Sequence, residues 1–555
     1  MNGAEVLVRE LESLGVETLF GYPGGAIMPF YDALVGSDLR HVLVRHEQAA
    51  ALAAAGMARV TGEVGVCVGT SGPGATNLIT GVADAHADSV PLVVLTGQVP
   101  MGLMGTDAFQ EVDVFGMTLG IVKHSYVVRS GHDLRRVLRE AFWLAKEGRP
   151  GPVWVDLPKD VLSGPADLHA PDRLDLVLRR TPDQAASLRG SLARAAAMLE
   201  QSERPLAYVG GGVASAGCEA ALVRFLEEQR LPAVTTLRAV GSVPTEHPML
   251  LGMLGMHGSA AANEAVQEAD LLLCLGARFD DRATGQLERF APGASVIHVD
   301  IDVAELGKLR NPAVGVAADL ALFLERFRPE PSERAPWLER AFGRRLAHHP
   351  RTEGPIHAPS FLRDLTRQHP GATVTCDVGQ HQMWVAQAGY FTSARQHLTS
   401  GGLGTMGFSL PSAIGAALAR PGEPCLAISG DGSFLMNVQE LATIRRLDLP
   451  IRMVVIDNRM LGMVRQWQDL FFEGRRSQVA LEDNPEFAEV ATAFGIPAFE
   501  LSRTEDVPAA LDRLRASSGP ILCHVRVDPE DGAWPLVPPG AANHEMLEPA
   551  SATAR

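Results

Sequence analysis

No uninterrupted apolar run in this 555-residue chain is long enough to span a bilayer, which takes about 20 residues. The opening residues, Met1 to Glu5, lack the basic flank and apolar core of a secretory signal, so a cytoplasmic protein is expected. Cysteine is scarce. Six residues (67, 218, 274, 376, 425 and 523) are scattered with no C-x-x-C pair, and most fall in apolar runs. Buried thiols are therefore expected rather than metal ligands or disulfides. Positive charge is also short: 49 Lys and Arg stand against 65 Asp and Glu, a net charge of −16. That balance argues against a nucleic-acid binder, which concentrates basic residues on one face. No short-period repeat is present, so a solenoid is not expected. Gly69-Thr70-Ser71-Gly72-Pro73 lacks the last glycine of a nucleophile elbow, and no Asp and His follow in hydrolase order. A serine hydrolase is thereby disfavoured.

What the chain does contain is a repeated rhythm. Short apolar runs alternate with longer helical patterns: Gly65–Val68, Leu92–Leu95, Val153–Val155, Leu206–Val209, Leu271–Leu275, Val296–Val299 and Met453–Ile456. Wholly apolar strands separated by helices indicate parallel sheets covered on both faces. The length allows about three or four domains of roughly 150 residues. Two polar, Pro-rich stretches, about Ser163 to Asp183 and Pro329 to Pro359, read as linkers. The expectation is an α/β protein of three doubly wound parallel-sheet domains, at 1–165, 185–330 and 355–540, with a tail at 541–555.

The most informative stretch is Ile428-Ser429-Gly430-Asp431-Gly432-Ser433-Phe434, followed by Asp457-Asn458. An apolar run, Cys425 to Ile428, leads into glycine, acid, glycine. An amphipathic segment follows (Leu435, Val438, Leu441, Ile444), then a second apolar run from Ile451 that ends at Asn458. Strand, turn, helix and strand would set Asp431 and Asn458 at the carboxyl ends of neighbouring strands. Glycines let the backbone approach a phosphate, and a helix N-terminus offers free N–H groups to it. One carboxylate and one amide oxygen are too few to cage a hard cation, but they suit Mg²⁺ that keeps ligands from a phosphate. An ordinary tight turn is the bland alternative for Gly-Asp-Gly alone. In the first unit, Glu47 follows the apolar Val42-Leu43-Val44, ahead of the small apolar run Ala49 to Ala58. From the local sequence it could cap that helix, where its charge meets the helix dipole favourably.

The Asp431-to-Asn458 pattern resembles the thiamin diphosphate motif, although that family usually ends in Asn-Asn where this chain has Asp457-Asn458. Further segments resemble the catalytic subunits of the acetohydroxyacid (acetolactate) synthases. They are Gly21–Ala26, Arg45-His46-Glu47-Gln48, Gly105–Glu111, Gly148–Pro152, Leu251–Gly258, Gly276–Arg282, Gly379–Trp384 and Gly404–Gly407. Phe471-Phe472 and the tail Trp534–Ala541 are similar to the isozyme II type, and the likeness runs from Gly3 to about Leu547.

The resemblance implies the thiamin diphosphate-binding fold, with pyrimidine, middle and diphosphate domains in that order, binding thiamin diphosphate, Mg²⁺ and FAD. Glu47 would hydrogen-bond N1′ of the aminopyrimidine. Asp431, Asn458 and the Met460 carbonyl would hold Mg²⁺. Gln380 and His381 would approach the diphosphate, with Gly404, Gly432, Ser433, Gly462 and Met463 around the cofactor. Met406 would wedge the cofactor into its bent shape, or else be a core residue. FAD would meet Arg149, Gly210, Gly211, Gly212, Thr236, Leu237, Met256, His257, Gly258, Arg278, Asp300 and Asp319, in a structural role. The loop after Val209 is itself a weak dinucleotide signal, because Ser215 stands where G-x-G-x-x-G ends.

The implied reaction decarboxylates pyruvate and joins the two-carbon unit to a second pyruvate or to 2-oxobutyrate, in branched-chain amino acid synthesis. Arg278 and Lys159 are the candidate cations for the acids, with ordinary surface ion pairing as their alternative. Trp467 would select the acceptor side chain, and Gln110 and Phe109 would reach the substrate from a neighbouring subunit. A homodimer or larger assembly with a small regulatory subunit is implied. The alternative is another thiamin- and FAD-dependent 2-oxo acid enzyme, such as a pyruvate oxidase. Glyoxylate carboligase is disfavoured by the presence of Glu47, and a catalytically silent scaffold by the presence of every expected polar group.

Overall fold

The computed structural model describes residues 1–170, 184–343 and 354–549. Among them, 18 strands build three six-stranded sheets in which every pairing is parallel. The first sheet holds β1 (Thr18–Gly21), β2 (Arg40–Leu43), β3 (Gly65–Gly69), β4 (Leu92–Gln98), β5 (His124–Val127) and β6 (Pro152–Pro158) in the order β2-β1-β3-β4-β6-β5. The second holds β7 (Pro205–Val209), β8 (Ala233–Thr235), β9 (Leu250–Met253), β10 (Leu271–Leu275), β11 (Ser295–Asp300) and β12 (Val314–Ala317) in the order β12-β11-β10-β7-β8-β9. The third holds β13 (Thr373–Cys376), β14 (His397–Thr399), β15 (Cys425–Gly430), β16 (Ile451–Asp457), β17 (Ala498–Leu501) and β18 (Ile521–Arg526) in the order β14-β13-β15-β16-β18-β17. The α/β architecture expected from the apolar runs is the one observed. β3, β4, β6, β7, β10 and β15 are buried at every residue, as parallel strands covered on both faces must be. All six cysteines are free and buried. No described helix is long and apolar enough to cross a membrane.

The first and third sheets share one topology, and helices join them. The helix Glu47–Thr61 opens behind the N-cap His46 and stops at Gly62, whose φ of +79° is left-handed. Its alanines pack on the helix Ser409–Ala419, whose residues from Ser409 to Ala417 are all buried. A Cβ on Gly415 would stand 1.9 Å from the Ala53 carbonyl oxygen, and one on Gly56 would stand 2.5 Å from that of Ser412. The two helices therefore touch backbone to backbone.

Three segments differ from expectation. The stretch after Pro329 is not simply a linker: Pro336 opens the helix Ala335–Phe342, and Trp337 donates its indole N–H to Pro205 O. Arg334 is buried there, with its guanidinium on the Gln229 and Leu199 carbonyls. The remaining linker stretches at 171–183 and 344–353, and the tail from 550, lie outside the described residues. Up to Leu547 the tail is held to the middle unit: Asn543 donates to Ala283 O and Arg289 pairs with Glu545. The single helix expected after Gly432 is broken into the turns Asp431–Phe434, Leu435–Glu440 and Leu441–Leu447. Asn437 departs from helical geometry (φ −135°), and its amide donates to Gly407 O instead.

Candidate active site

β15 delivers Gly430 to the point where the third sheet reverses its strand order, between β13 and β15, which is where open α/β sheets bind ligands. The Gly430 N–H donates to Nε2 of His381, 3.1 Å away. A Cβ on Gly430 would fall 2.8 Å from that ring, so glycine is required. Burial lowers the His381 pKa to about 3, keeping the imidazole neutral and able to accept. Asp431 opens the next turn, is buried, and accepts from the Asn484 amide at 3.0 Å. Burial, and then the neighbouring Asp457 carboxylate, push its pKa up to about 7. Burial works against ionising Asp457 too. The hydrogen bond from His524 at 2.8 Å, the Arg459 N–H and the Arg526 guanidinium nevertheless hold its pKa below the usual range.

Among the described residues no Arg or Lys pairs with Asp431. A buried acid pressed against a second carboxylate, with the N–H groups of Asn484 and Gly432 but no cationic side chain among the described residues, is the environment a divalent cation relieves. The donors around it are hard oxygens. Asn458 follows β16; its Oδ1 accepts from the Met460 N–H at 3.0 Å, and its amide donates to Gln380 Oε1 at 3.2 Å. Gly462 is tight for the same reason, since a Cβ there would lie 2.0 Å from Gln380 Oε1. Asp431, Asn458 and Met460 thus fit an oxygen-ligated Mg²⁺.

These groups line one end of a cleft of about 1320 Å³, larger than the roughly 300–1,000 Å³ of an ordinary small-molecule pocket. Gln380, His381, Gly404, Met406, Asp431, Gly432, Ser433, Asn458, Met460, Gly462, Met463 and Trp467 all contribute to it. Met406 is half-buried and faces the cleft rather than the core; its Cε lies 3.7 Å from where a Gly432 Cβ would be. Trp467 meets Phe471 edge-on at 5.5 Å.

The cleft continues over the carboxyl ends of the second sheet, where Arg149, Gly211, Gly212, Thr236, Leu237, Met256, His257, Arg278, Asp300 and Asp319 line it. Gly210 and Gly258 do not. A Cβ on Gly210 would meet Gly276 O at 2.0 Å, and one on Gly258 would meet the Leu254 backbone at 2.5 Å, so both glycines serve close chain packing. Asp319 caps the helix Leu320–Arg326, accepting from the N–H groups of Ala321 and Leu322. Arg149 is paired with Glu305 at 2.7 Å and hydrogen-bonded to Ser89. Burial drops the His257 pKa to about 4 and raises that of Asp300.

The remaining expected residues stand apart. Glu47, Phe109, Gln110 and Lys159 do not line the cleft of their own chain. Glu47 is buried one residue past the N-cap His46, so it does not fill the cap itself; it accepts from Asn77 Nδ2 at 3.0 Å. Gln110, at φ +64°, packs on Gly72 in the turn that precedes Asn77. Phe109 is 88 % exposed, and Lys159 is exposed where β6 ends.

Sequence reasoning missed a buried ion network beside the cleft. Arg59 bonds Asp84 at 2.8 Å and Asp88 at 2.9 Å, both acids being fully buried. Asp84 and Asp88, four apart on a small-residue helix (Pro73–Ala87 and its C-cap), were the only hint. A second acidic group, Glu486, Glu500 and His524, is close enough to ligate an ion, but Arg526 already pairs with Glu486 and lies 3.6 Å from Glu500.

Three parallel six-stranded sheets, with a glycine-acid-glycine turn and an Asn at neighbouring strand ends of the third, are the features of the thiamine pyrophosphate enzymes. The N-terminal TPP binding domain of that class matches residues 1–117, the central domain 192–327 and the C-terminal TPP binding domain 377–525. Among individual proteins, the acetolactate synthase isozyme 2 large subunit of Escherichia coli is 51% identical over 99% of this chain and 100% of that protein. The isozyme 1 large subunit of the same organism is 45% identical over 98% of this chain and 97% of its own. A probable acetolactate synthase large subunit of Methanocaldococcus jannaschii is 44% identical over 99% and 95%. The chain belongs to the acetolactate synthase large-subunit family, and it is an enzyme of that type.

Proposed function

We propose that this enzyme decarboxylates pyruvate and transfers the two-carbon unit to pyruvate or 2-oxobutyrate, giving 2-acetolactate or 2-aceto-2-hydroxybutyrate in the cytoplasm. One observation carries the reading: Asp431, Asn458 and Gln380 meet at strand ends in a cleft that runs on, unbroken, to Arg278 and the Gly211 loop. Thiamin diphosphate supplies the electron sink for breaking the carboxylate bond of a 2-oxo acid. Asp431, Asn458 and the Met460 carbonyl would hold Mg²⁺ against its diphosphate. Gly432 and Ser433 offer their N–H groups at the start of a turn. Glu47, shielded from water, would hold a proton at N1′ of the aminopyrimidine. Gly211, Gly212, Thr236, Leu237 and Arg278 would hold FAD, which does no net redox work in this reaction.

Arg278 lines the cleft, and its planar fork would suit the acceptor's carboxylate. Trp467 would line the pocket for the acceptor's side chain. Because Glu47, Gln110, Phe109 and Lys159 lie outside the cleft of their own chain, the reading requires a second copy to supply them. A small regulatory subunit belongs to the same proposal. So do domain limits at 1–165, 185–330 and 355–540, with the tail 541–555. The test is to supply pyruvate, thiamin diphosphate, Mg²⁺ and FAD and to assay the products. Acetolactate with the flavin still oxidised is expected; acetate with reduced flavin would establish the oxidase alternative.

A further inference from the structure

The buried ion network lies between the two halves of the cleft, and one residue of it reaches both. Arg238 follows directly on Thr236 and Leu237, at the flavin end. Its Cβ packs 3.2 Å from where a Gly211 Cβ would be. Its stem then runs across the third unit's loop, 2.6 Å from where a Gly401 Cβ would be. The guanidinium ends on Asp88: Nε stands 3.5 Å from Oδ1, and Nη2 donates to the Asp88 carbonyl at 3.5 Å.

Asp88 in turn holds the loop that carries Gly404 and Met406. It accepts from the N–H of Gly401 at 3.0 Å and from that of Gly402 at 2.8 Å. Asp84 holds the same loop farther along, accepting from the hydroxyls of Ser400 and Thr405. Ser400 Oγ then accepts from the N–H groups of Gly404 and Thr405. Arg59 bridges both acids and also donates to Thr399 O. The Arg59, Asp84 and Asp88 side chains are buried and that of Arg238 is 23 % exposed, so the charge-assisted bonds onto the two acids are little screened and a displaced partner leaves an unpaired charge.

We infer that Arg238, through Asp88, couples the two cofactor sites, so that filling the flavin end fixes the Gly401–Met406 loop and tightens binding at the thiamin end, and the reverse. The inference rests on the proposed placement of FAD and thiamin diphosphate. Arg238 is a positioning residue here, acting on the loop and not on reacting atoms. Reciprocity is obligatory: whatever factor thiamin diphosphate adds to FAD affinity, FAD adds to thiamin diphosphate affinity.

The test is a binding cycle on the full chain, kept at concentrations where light scattering gives the same assembly state throughout. FAD is titrated by flavin fluorescence with and without thiamin diphosphate and Mg²⁺, and thiamin diphosphate is titrated by calorimetry with and without FAD. The expected wild-type result is a gain of about tenfold in each direction. In Arg238→Met, which keeps the stem and leaves Asp88 paired with Arg59, the factor should fall to near one, whatever happens to either affinity alone. Arg238→Lys, which keeps the charge, should retain part of it and serves if the Met variant does not fold. Two cofactors that bind the wild type independently, or a factor unchanged in Arg238→Met, would overturn the coupling while leaving the cofactor assignment intact. Failure of the wild type to bind FAD or thiamin diphosphate at all would bring down the assignment, and the coupling with it.

Discussion

The first and third sheets have the same strand order, yet they carry opposite chemistry at equivalent turns. After β15 the chain reads Gly430-Asp431-Gly432, and Asp431 is buried against Asp457 with no cationic side chain among the described residues to pair it. After β3, the matching strand, it reads Gly69-Thr70-Ser71-Gly72-Pro73-Gly74, with no acid. The first unit places its carboxylate after β2 instead, as Glu47, held by Asn77 beside that glycine turn. Under the proposed function, one scaffold would make a cation and phosphate end in one copy and a lone proton-holding carboxylate in the other. Glycines are common to both turns, so they report close backbone approach. The acids decide what is approached.

The largest effect should come from the first unit's carboxylate. Glu47→Gln should lower turnover by about 10²–10⁴-fold, the range of acid–base contributions, with thiamin diphosphate binding largely kept. Near-normal kcat in that variant would falsify its assignment and leave the first unit without chemistry. The third unit's acid comes next. Asp431→Asn should weaken Mg²⁺ by at least about 10–100-fold, the loss already typical of partners one shell farther out. Mg²⁺-dependent retention of the cofactor is the measurement, and an unshifted Mg²⁺ curve would make Gly430-Asp431-Gly432 a plain turn.

The contact between the twin units can be probed next. Gly415→Ala drives a methyl into the Ala53 carbonyl and should cost about 1–3 kcal/mol of stability by overpacking, read as a lowered denaturation midpoint. A neutral result would mean that the helices Glu47–Thr61 and Ser409–Ala419 can slide apart without loss. The smallest effect tests selectivity within the third unit. Trp467→Leu should lose preference for 2-oxobutyrate over pyruvate by about tenfold, the lower end of what one methylene is worth. A competition assay with an unchanged product ratio would remove Trp467 from the acceptor pocket.

Legibility in the sequence followed the range of the interactions. The apolar runs at Leu271–Leu275 and Met453–Ile456 announced buried parallel strands, because a strand covered on both faces has no polar side to show. Asp431 and Asn458 were legible because a strand–helix–strand unit fixes where its ends lie. Gly210 and Gly258, which the resemblance sets beside the flavin, also make room for neighbouring backbone, a contact that no local pattern shows. Arg59, Asp84, Asp88 and Arg238 left almost no trace, since Asp84 and Ser400 are 316 positions apart and only folding makes them partners.

The sequence by itself determined three parallel sheets, the oxygen donors at 431 and 458, and the family to which the chain belongs, since each is written in residues close along the chain. The tertiary structure alone decided that one continuous cleft spans the second and third units, that Glu47 stands outside it, and that a buried charge network runs between its two ends. Those are matters of which distant segments pack together, and packing is fixed by the summed shape of many surfaces rather than by any local pattern.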